Sequence, residues 1–217
     1  MLEFSVMTDA LPFILEGVGV TLKFTATSLL CGLPLGLFLA FLKISPCKHL
    51  GRIAQIYTSI FRGTPLIVQL SLIFFGLPVI TGYNMSPFVA GVITFSLNSA
   101  AYTSEIIRSG LQSIDQGQWE AGVVLGLSRM QILRHIILPQ AFRLSLPSLV
   151  NEWIDLLKES ALVSIIGEAD LFRRAQIIAA EKYLYFEPYL TVAVCYYIMV
   201  LILTLLASRL EKRLRYD

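Results

Sequence analysis

The chain has 217 residues, of which 56% are apolar and only 15% charged, against the roughly 25% charged residues of soluble domains; a soluble globular fold is excluded, and a single membrane-embedded domain over residues 1–217 is expected. The 17 basic and 15 acidic residues leave a net charge of +2, and the basic ones lie at the ends of apolar runs rather than in one patch, which excludes a nucleic-acid surface. Cys31, Cys47 and Cys195 have neither pairing nor metal-ligand spacing, and Cys31 and Cys195 read as packing residues. Glu3 and Asp9 stand where a cleavable leader would carry basic residues, so no leader is expected.

Crossing a bilayer takes about 20 mainly apolar residues. Five stretches meet that requirement in order: 17–42, 53–80, 87–107, the charge-bearing 142–166, and the uncharged 189–207. Lys43, Lys48 and Arg52 lie between the first two spans, Arg108, Arg129 and Arg134 between the third and fourth, and Arg209, Lys212, Arg213 and Arg215 after the fifth. Basic residues mark cytoplasmic loops, so the N-terminus is expected outside and the C-terminus in the cytoplasm. The uncharged turn 81–86 then faces outward. So does 167–188, whose charges are mixed and which is expected to hold a short helix near 170–182.

In the first span Gly32 and Gly36 flank Pro34; close helix packing is favoured over a gating hinge. The second span opens on Phe61-Arg62-Gly63-Thr64-Pro65 and continues to Gln69. Arg62 is expected near the cytoplasmic end, in a structural role, and Gln69 is a candidate for the pathway lining. In the third span Asn98, Tyr102 and Glu105 recur at spacings of four and three, hence on one helical face. A polar stripe on an apolar helix faces protein or a water-filled path rather than lipid. For Asn98 and Tyr102 both a pathway role and an inter-helix hydrogen bond fit, and Glu105 is expected to pair with Arg108.

The fourth span carries Glu152, Asp155 and Glu159 at spacings of three and four, with Asn151 and Lys158, seven apart, on a neighbouring face. Clustered carboxylates repel one another unless a cation joins them. Lys158 can pair with Asp155 or Glu159; a structural pair with Glu159 is expected, which leaves Glu152 and Asp155, together with Asn98, Tyr102 and Gln69, as substrate-binding candidates. Surplus negative charge facing a pathway suits a cationic substrate; the alternative is an outward vestibule that binds nothing.

Between the third and fourth spans the loop 113–139 is amphipathic and basic. A helix to about Leu125, a break at Gly126 and a second helix capped by Ser128 are expected there. Glu120-Ala121-Gly122, three residues, Gly126, nine residues and Ile136-x-Leu138-Pro139 resemble the loop motif of ABC importer permeases, with Gly122 where the family usually has alanine. That change weakens a helix by roughly 1 kcal/mol. Arg62-Gly63-Thr64-Pro65 with Gln69, and the run Asn98 to Gln118, resemble the polar amino acid branch, which carries histidine, arginine, glutamine or cystine.

The resemblance implies an all-α integral membrane permease of five helices in the bacterial cytoplasmic (inner) membrane, with cytoplasmic coupling helices between spans three and four. It implies a second permease subunit, identical or different, two cytoplasmic ATPase subunits that bind ATP-Mg, and an extracytoplasmic substrate-binding protein. Glu120, Ala121, Gly122 and Gly126 would then dock on the ATPase, Glu120 by an ion pair. The chain has no phosphate-cradling Gly-Lys-Ser or Gly-Lys-Thr loop, so it is expected to bind no cofactor and to be no enzyme itself. Family members with Asn-Glu at the Asn151-Glu152 position include basic amino acid permeases, which again points to a basic substrate. A permease for a neutral amino acid such as glutamine or cystine is the near alternative. An ion-coupled secondary transporter is the distant one, and the missing internal repeat disfavours it.

Overall fold

The computed structural model describes residues 4–216; Glu3 lies outside them, as do the side chains of Arg213 and Arg215. The described residues are helical, with no strand among them. Helix α1 (Phe4–Ile44) runs through Pro12 and Pro34 without interruption. Then come α2 (Lys48–Gly63) and α3 (Leu66–Thr81), which has a π-helical turn over Leu72–Gly76. Helix α4 (Pro87–Gln112) starts at the Ser86 cap, whose hydroxyl accepts from the Val89 N–H. Two short helices follow, α5 (Gln116–Val124) and α6 (Arg129–Ile132), then a π-helical turn over Leu133–Ile137 and α7 (Leu138–Glu159). A 3-10 turn over Ser160–Ile166 leads to α8 (Leu171–Lys182) and α9 (Phe186–Tyr216).

Among the described residues α1 over Thr8–Ile44 and α9 over Phe186–Arg209 are each long and apolar enough to cross a membrane. A third crossing arises if α2 and α3 are taken as one bent span. Helices α4 and α7, which carry the polar stripes, do not qualify on apolarity alone.

The second span is not the continuous helix expected over 53–80. Helices α2 and α3 meet at 101°. Pro65 disfavours the helical conformation for Thr64, which is extended at φ −122°, ψ 143°, and Pro65 itself is extended at ψ 137°. Two consecutive extended residues turn the chain.

Helix α1 lies against α4 and runs in the same direction, because contacts advance along both together. Phe24 stacks edge-on against Phe88 and Phe95, Gly32 meets Ser96, and Gly36 meets Thr103. A β-carbon at Gly36 would fall 2.6 Å from Thr103 Cγ2, so the glycine sets the helix separation and the packing reading of this pair is the one observed. Helix α7 runs opposite to α4: Ser145 abuts Gly110, while Val163, beyond the α7 end, reaches Gly91. At one end of the bundle α8 and the start of α9 pack on Ala10 and Ile14 of α1. Near the other end, Ala207 of α9 packs on Leu146 and Val150 of α7. Leu30, Phe38 and Phe41 of α1, and Leu201, Ile202, Leu205 and Leu206 of α9, stand exposed. Such an apolar surface suits lipid rather than water. Cys31 is exposed too, not packed as expected, and all three cysteines are free.

Candidate functional site

The carboxylates of α7 face a cavity of about 530 Å³. Asn98 and Tyr102 line it from α4, Glu152, Asp155, Lys158 and Glu159 from α7, and Ala161 and Leu162 from the 3-10 turn. Helical spacing explains the set, since residues three and four apart share a face. Four of the five substrate-binding candidates, Asn98, Tyr102, Glu152 and Asp155, thus meet around one space. Three carboxylates stand there against one ammonium. Lys158 Nζ lies 2.7 Å from Asp155 Oδ1, with both side chains more than half exposed. The pair joins Lys158 to Asp155 rather than to Glu159, because Asp155 lies three residues back on the same face whereas adjacent residues diverge.

Gln69, the fifth candidate, does not line the cavity; it is 7% exposed and holds the α2–α3 bend. Its Nε2 donates to the carbonyls of Phe61 and Thr64 and to Thr64 Oγ1 at 2.8–3.0 Å. Asn98 completes this arrangement, its Nδ2 donating at 3.1 Å to both Phe61 O and Gln69 Oε1. These amides satisfy carbonyls that the end of α2 leaves without helical partners. Asn98 therefore makes an inter-helix bond and also forms part of the cavity wall.

One and two turns further along α4, Glu105 accepts from Arg108 Nε and Nη2 at 2.9 and 2.7 Å, the expected pair. Sequence reasoning missed the other partner. Lys43, placed there among the loop cations, has a fully buried side chain that bonds Ser104 Oγ at 2.8 Å and Glu105 Oε1 at 2.5 Å. The available signal was a lysine closing an apolar run with no acid near it in sequence. Arg62 approaches Glu105 Oε2 to 3.9 Å and lies 5.2 Å from the Tyr102 ring centre.

The 113–139 loop folds as two short helices about a glycine. Asp115 caps α5 by accepting from Gly117 N, and Gly126 at φ +73° ends it. The bonds Leu127 N→Gly122 O and Gly126 N→Val123 O make a Schellman motif, which requires a left-handed residue at Gly126. Ser128 and Gln131 form a capping box at the start of α6. Gly122 is buried, and a β-carbon there would lie 2.8 Å from Ile132 Cγ1, so glycine in place of the usual alanine lets α5 sit close on α6. Glu120 and Ala121 are exposed beside Val123, Val124 and Leu125, an apolar ridge with nothing packed over it among the described residues.

A helical chain with a lipid-suited exterior and a charged open cavity is built as a membrane transport subunit. Residues 32–216 match the family described as "Binding-protein-dependent transport system inner membrane component". The putative glutamine transport system permease protein GlnP of Rickettsia felis is 50% identical over 202 residues, 93% of each chain. The arginine transport system permease protein ArtQ of Bacillus subtilis is 47% identical over 214 residues, 99% of this chain and 98% of that one. The crystal structure of an amino acid ABC transporter with histidines superposes with a TM-score of 0.93 at 44% identity, covering 98% of this chain and 99% of that one. This chain belongs to the binding-protein-dependent transport system inner membrane components, as a permease subunit of an ABC amino acid importer. Its role is transport, and ATP hydrolysis belongs to a separate ATPase.

Proposed function

We propose that this permease imports a basic amino acid, with Glu152, Asp155 and Glu159 reading its cationic group. The observation that carries the reading is the charge of the cavity: three carboxylates face it, and its one ammonium is held by Asp155. A cationic ligand relieves their mutual repulsion. The relative described as an arginine permease supports the same choice. The relatives described as glutamine permeases support a second reading, a neutral polar substrate, in which these acids only shape the cavity.

Transport is proposed to run through five spans, α1, α3, α4, α7 and α9. The alternating helix directions support this layout, since they bring residues 44–48, 112–138 and 209 to one side and residues 82–86 and 167–186 to the other. The Lys and Arg excess supports a cytoplasmic placement of the first side, in a membrane proposed to be the bacterial inner membrane. Glu120, Ala121, Gly122 and Gly126 of the α5 turn are proposed to dock on one of two cytoplasmic ATPase subunits that hold ATP-Mg. The exposed apolar ridge at Val123–Leu125 and the rigid Schellman turn suit a groove on a partner. A second permease subunit, the same chain or another, completes the path, and an extracytoplasmic binding protein delivers the amino acid. ATP binding drives the cycle only insofar as the ATPases hold the two access states with different affinity.

ATP-dependent uptake into proteoliposomes, with the cognate ATPase and binding protein and a competing amino acid panel, tests the reading. Arginine, lysine or histidine is expected to compete best, and Glu152→Gln with Asp155→Asn is expected to lose that preference. Best competition by glutamine, unaltered by both changes, would establish the neutral reading instead.

A further inference from the structure

Two cavities of opposite charge meet at one pair of side chains. The acidic cavity of about 530 Å³ includes Tyr102 in its wall. A second cavity, of about 410 Å³, lies further along α4 and is lined by Arg62, Glu105 and Arg108 with several serines. Arg62 belongs to the second cavity and Tyr102 to the first, and the guanidinium carbon of Arg62 stands 5.2 Å from the centre of the Tyr102 ring.

Arg62 is the uncommitted cation at this boundary. Glu105 is already bonded by Lys43 at 2.5 Å and by Arg108 at 2.7 Å, whereas Arg62 comes no closer than 3.9 Å, beyond hydrogen-bond length. A guanidinium has five N–H donors, and among the described residues those of Arg62 make no hydrogen bond. Its side chain is 45% exposed. Its backbone is nonetheless held, because the neighbouring Phe61 carbonyl accepts from both Gln69 and Asn98. The aromatic face of Tyr102 supports the guanidinium, and that contact leaves the in-plane N–H groups free.

Any amino acid brings a carboxylate, whatever its side chain carries. In the acidic cavity that group meets three carboxylates and a lysine held by Asp155. It needs a cation with free donors, and a planar guanidinium matches a carboxylate with two parallel hydrogen bonds. We propose that Arg62 takes the α-carboxylate of the transported amino acid, so that it selects amino acids as a class while the α7 acids choose among side chains. This rests on the amino acid transport reading above but not on the choice of basic over neutral substrate.

The test is equilibrium binding to the purified, nucleotide-free permease–ATPase complex with two pairs of ligands: arginine against its decarboxylated form agmatine, and glutamine against 4-aminobutanamide. In the unchanged complex the better-bound pair is expected to favour the amino acid over its amine by roughly 10- to 100-fold, the worth of a charge-assisted bidentate contact. In Arg62→Gln that ratio falls to about 1 while the affinity for the amine holds, which also reports that the cavity is intact. Arg62→Lys retains part of the ratio, and Lys158→Gln leaves it unchanged. The proposal is overturned if the ratio survives Arg62→Gln, if Lys158→Gln abolishes it instead, or if Arg62→Gln weakens the amine equally. No saturable binding of any of the four ligands overturns both this proposal and the transport-site reading. If Glu152→Gln and Asp155→Asn fail to alter the preference of arginine over glutamine, the basic-substrate reading fails and the role of Arg62 stands.

Discussion

Asn98 donates a 3.1 Å hydrogen bond to the side-chain oxygen of Gln69, and both amides also bond the Phe61 carbonyl. Helix α4 is thereby fastened to the bend between α2 and α3 at the wall of the acidic cavity. Gln69→Leu would remove the donor to the Phe61 and Thr64 carbonyls and deprive Asn98 of an acceptor. Leaving buried polar groups unsatisfied costs about 1–3 kcal/mol each. The variant is expected to melt earlier and to exchange amide hydrogens faster at residues 61–69, with its ranking of amino acid substrates unaltered. Wild-type stability together with an altered ranking would return Gln69 to the pathway.

Gly36 and Gly19 lie on the same helix in opposite surroundings. A β-carbon at Gly36 would sit 2.6 Å from Thr103 Cγ2 and 3.1 Å from the Ala100 carbonyl, whereas one at Gly19 meets nothing within 4 Å. Gly36→Ala is therefore expected to destabilise by about 1–3 kcal/mol through overpacking. Gly19→Ala is expected to be neutral or to stabilise by up to about 1 kcal/mol through helix propensity. Thr103→Ser removes the Cγ2 methyl but leaves the residue-103 β-carbon at 2.7 Å and the Ala100 carbonyl at 3.1 Å, so it should recover only a minor part of the Gly36→Ala loss. Thermal unfolding of Gly19→Ala, Gly36→Ala and the double variant Gly36→Ala with Thr103→Ser in one detergent decides, and equal effects of the two glycine changes would remove Gly36 as the residue that sets the α1–α4 distance.

Much of this was legible in sequence because it depends on local spacing. The three- and four-residue recurrence of Asn98 and Tyr102, and of Glu152 and Asp155, sets each pair on one helical face. Gly126 and Ser128 announced the turn between α5 and α6, since a left-handed stop and an N-cap are chosen by local backbone geometry. What the sequence did not reveal depends on distant partners. Lys43 finds Glu105 across 62 positions, and Gln69 finds Asn98 across 29. Apolarity concealed the 101° bend, because the 53–80 stretch is hydrophobic on both sides of Thr64-Pro65. The choice of Asp155 over Glu159 by Lys158 is again local, and helical geometry accounts for it.

The burial of Lys43 makes Glu105 its necessary counter-charge. The Lys43 side chain is 0% exposed, and Glu105 is its one acidic partner among the described residues. Glu105→Gln leaves a buried ammonium without a carboxylate, a change of the kind that costs about 3–5 kcal/mol. Lys43→Met is expected to cost less, because Glu105 keeps the partly buried Arg108 at 2.7 Å. The double variant Lys43→Met with Glu105→Gln should be more stable than Glu105→Gln alone. Expression level and melting temperature of the complex report the order, and a double variant no better than Glu105→Gln would show that Lys43 is not the group at stake.

Asp170 gives the outer segment a pH dependence of definite sign. Its carboxylate accepts from the N–H groups of Phe172 and Arg173 at 3.3 and 2.9 Å and so caps α8, yet the side chain is fully buried. Burial outweighs those two bonds and pushes the carboxyl up to about 6 from its ordinary 3.8. A raised folded-state value favours the protonated form. The contribution is therefore fully present below about pH 4 and is lost as pH rises through about 6, a change of about 3 kcal/mol at 1.36 kcal/mol per unit. The cap itself needs no charge, since asparagine caps helices as well as aspartate does; Asp170→Asn should keep α8 folded and flatten this part of the profile. Hydrogen exchange of the α8 amides at pH 4.5 and pH 7.5 is the measurement. Protection that falls equally with pH in the unchanged protein and in Asp170→Asn would assign the effect to another group, with Glu168 next in line because burial raises its carboxyl as well.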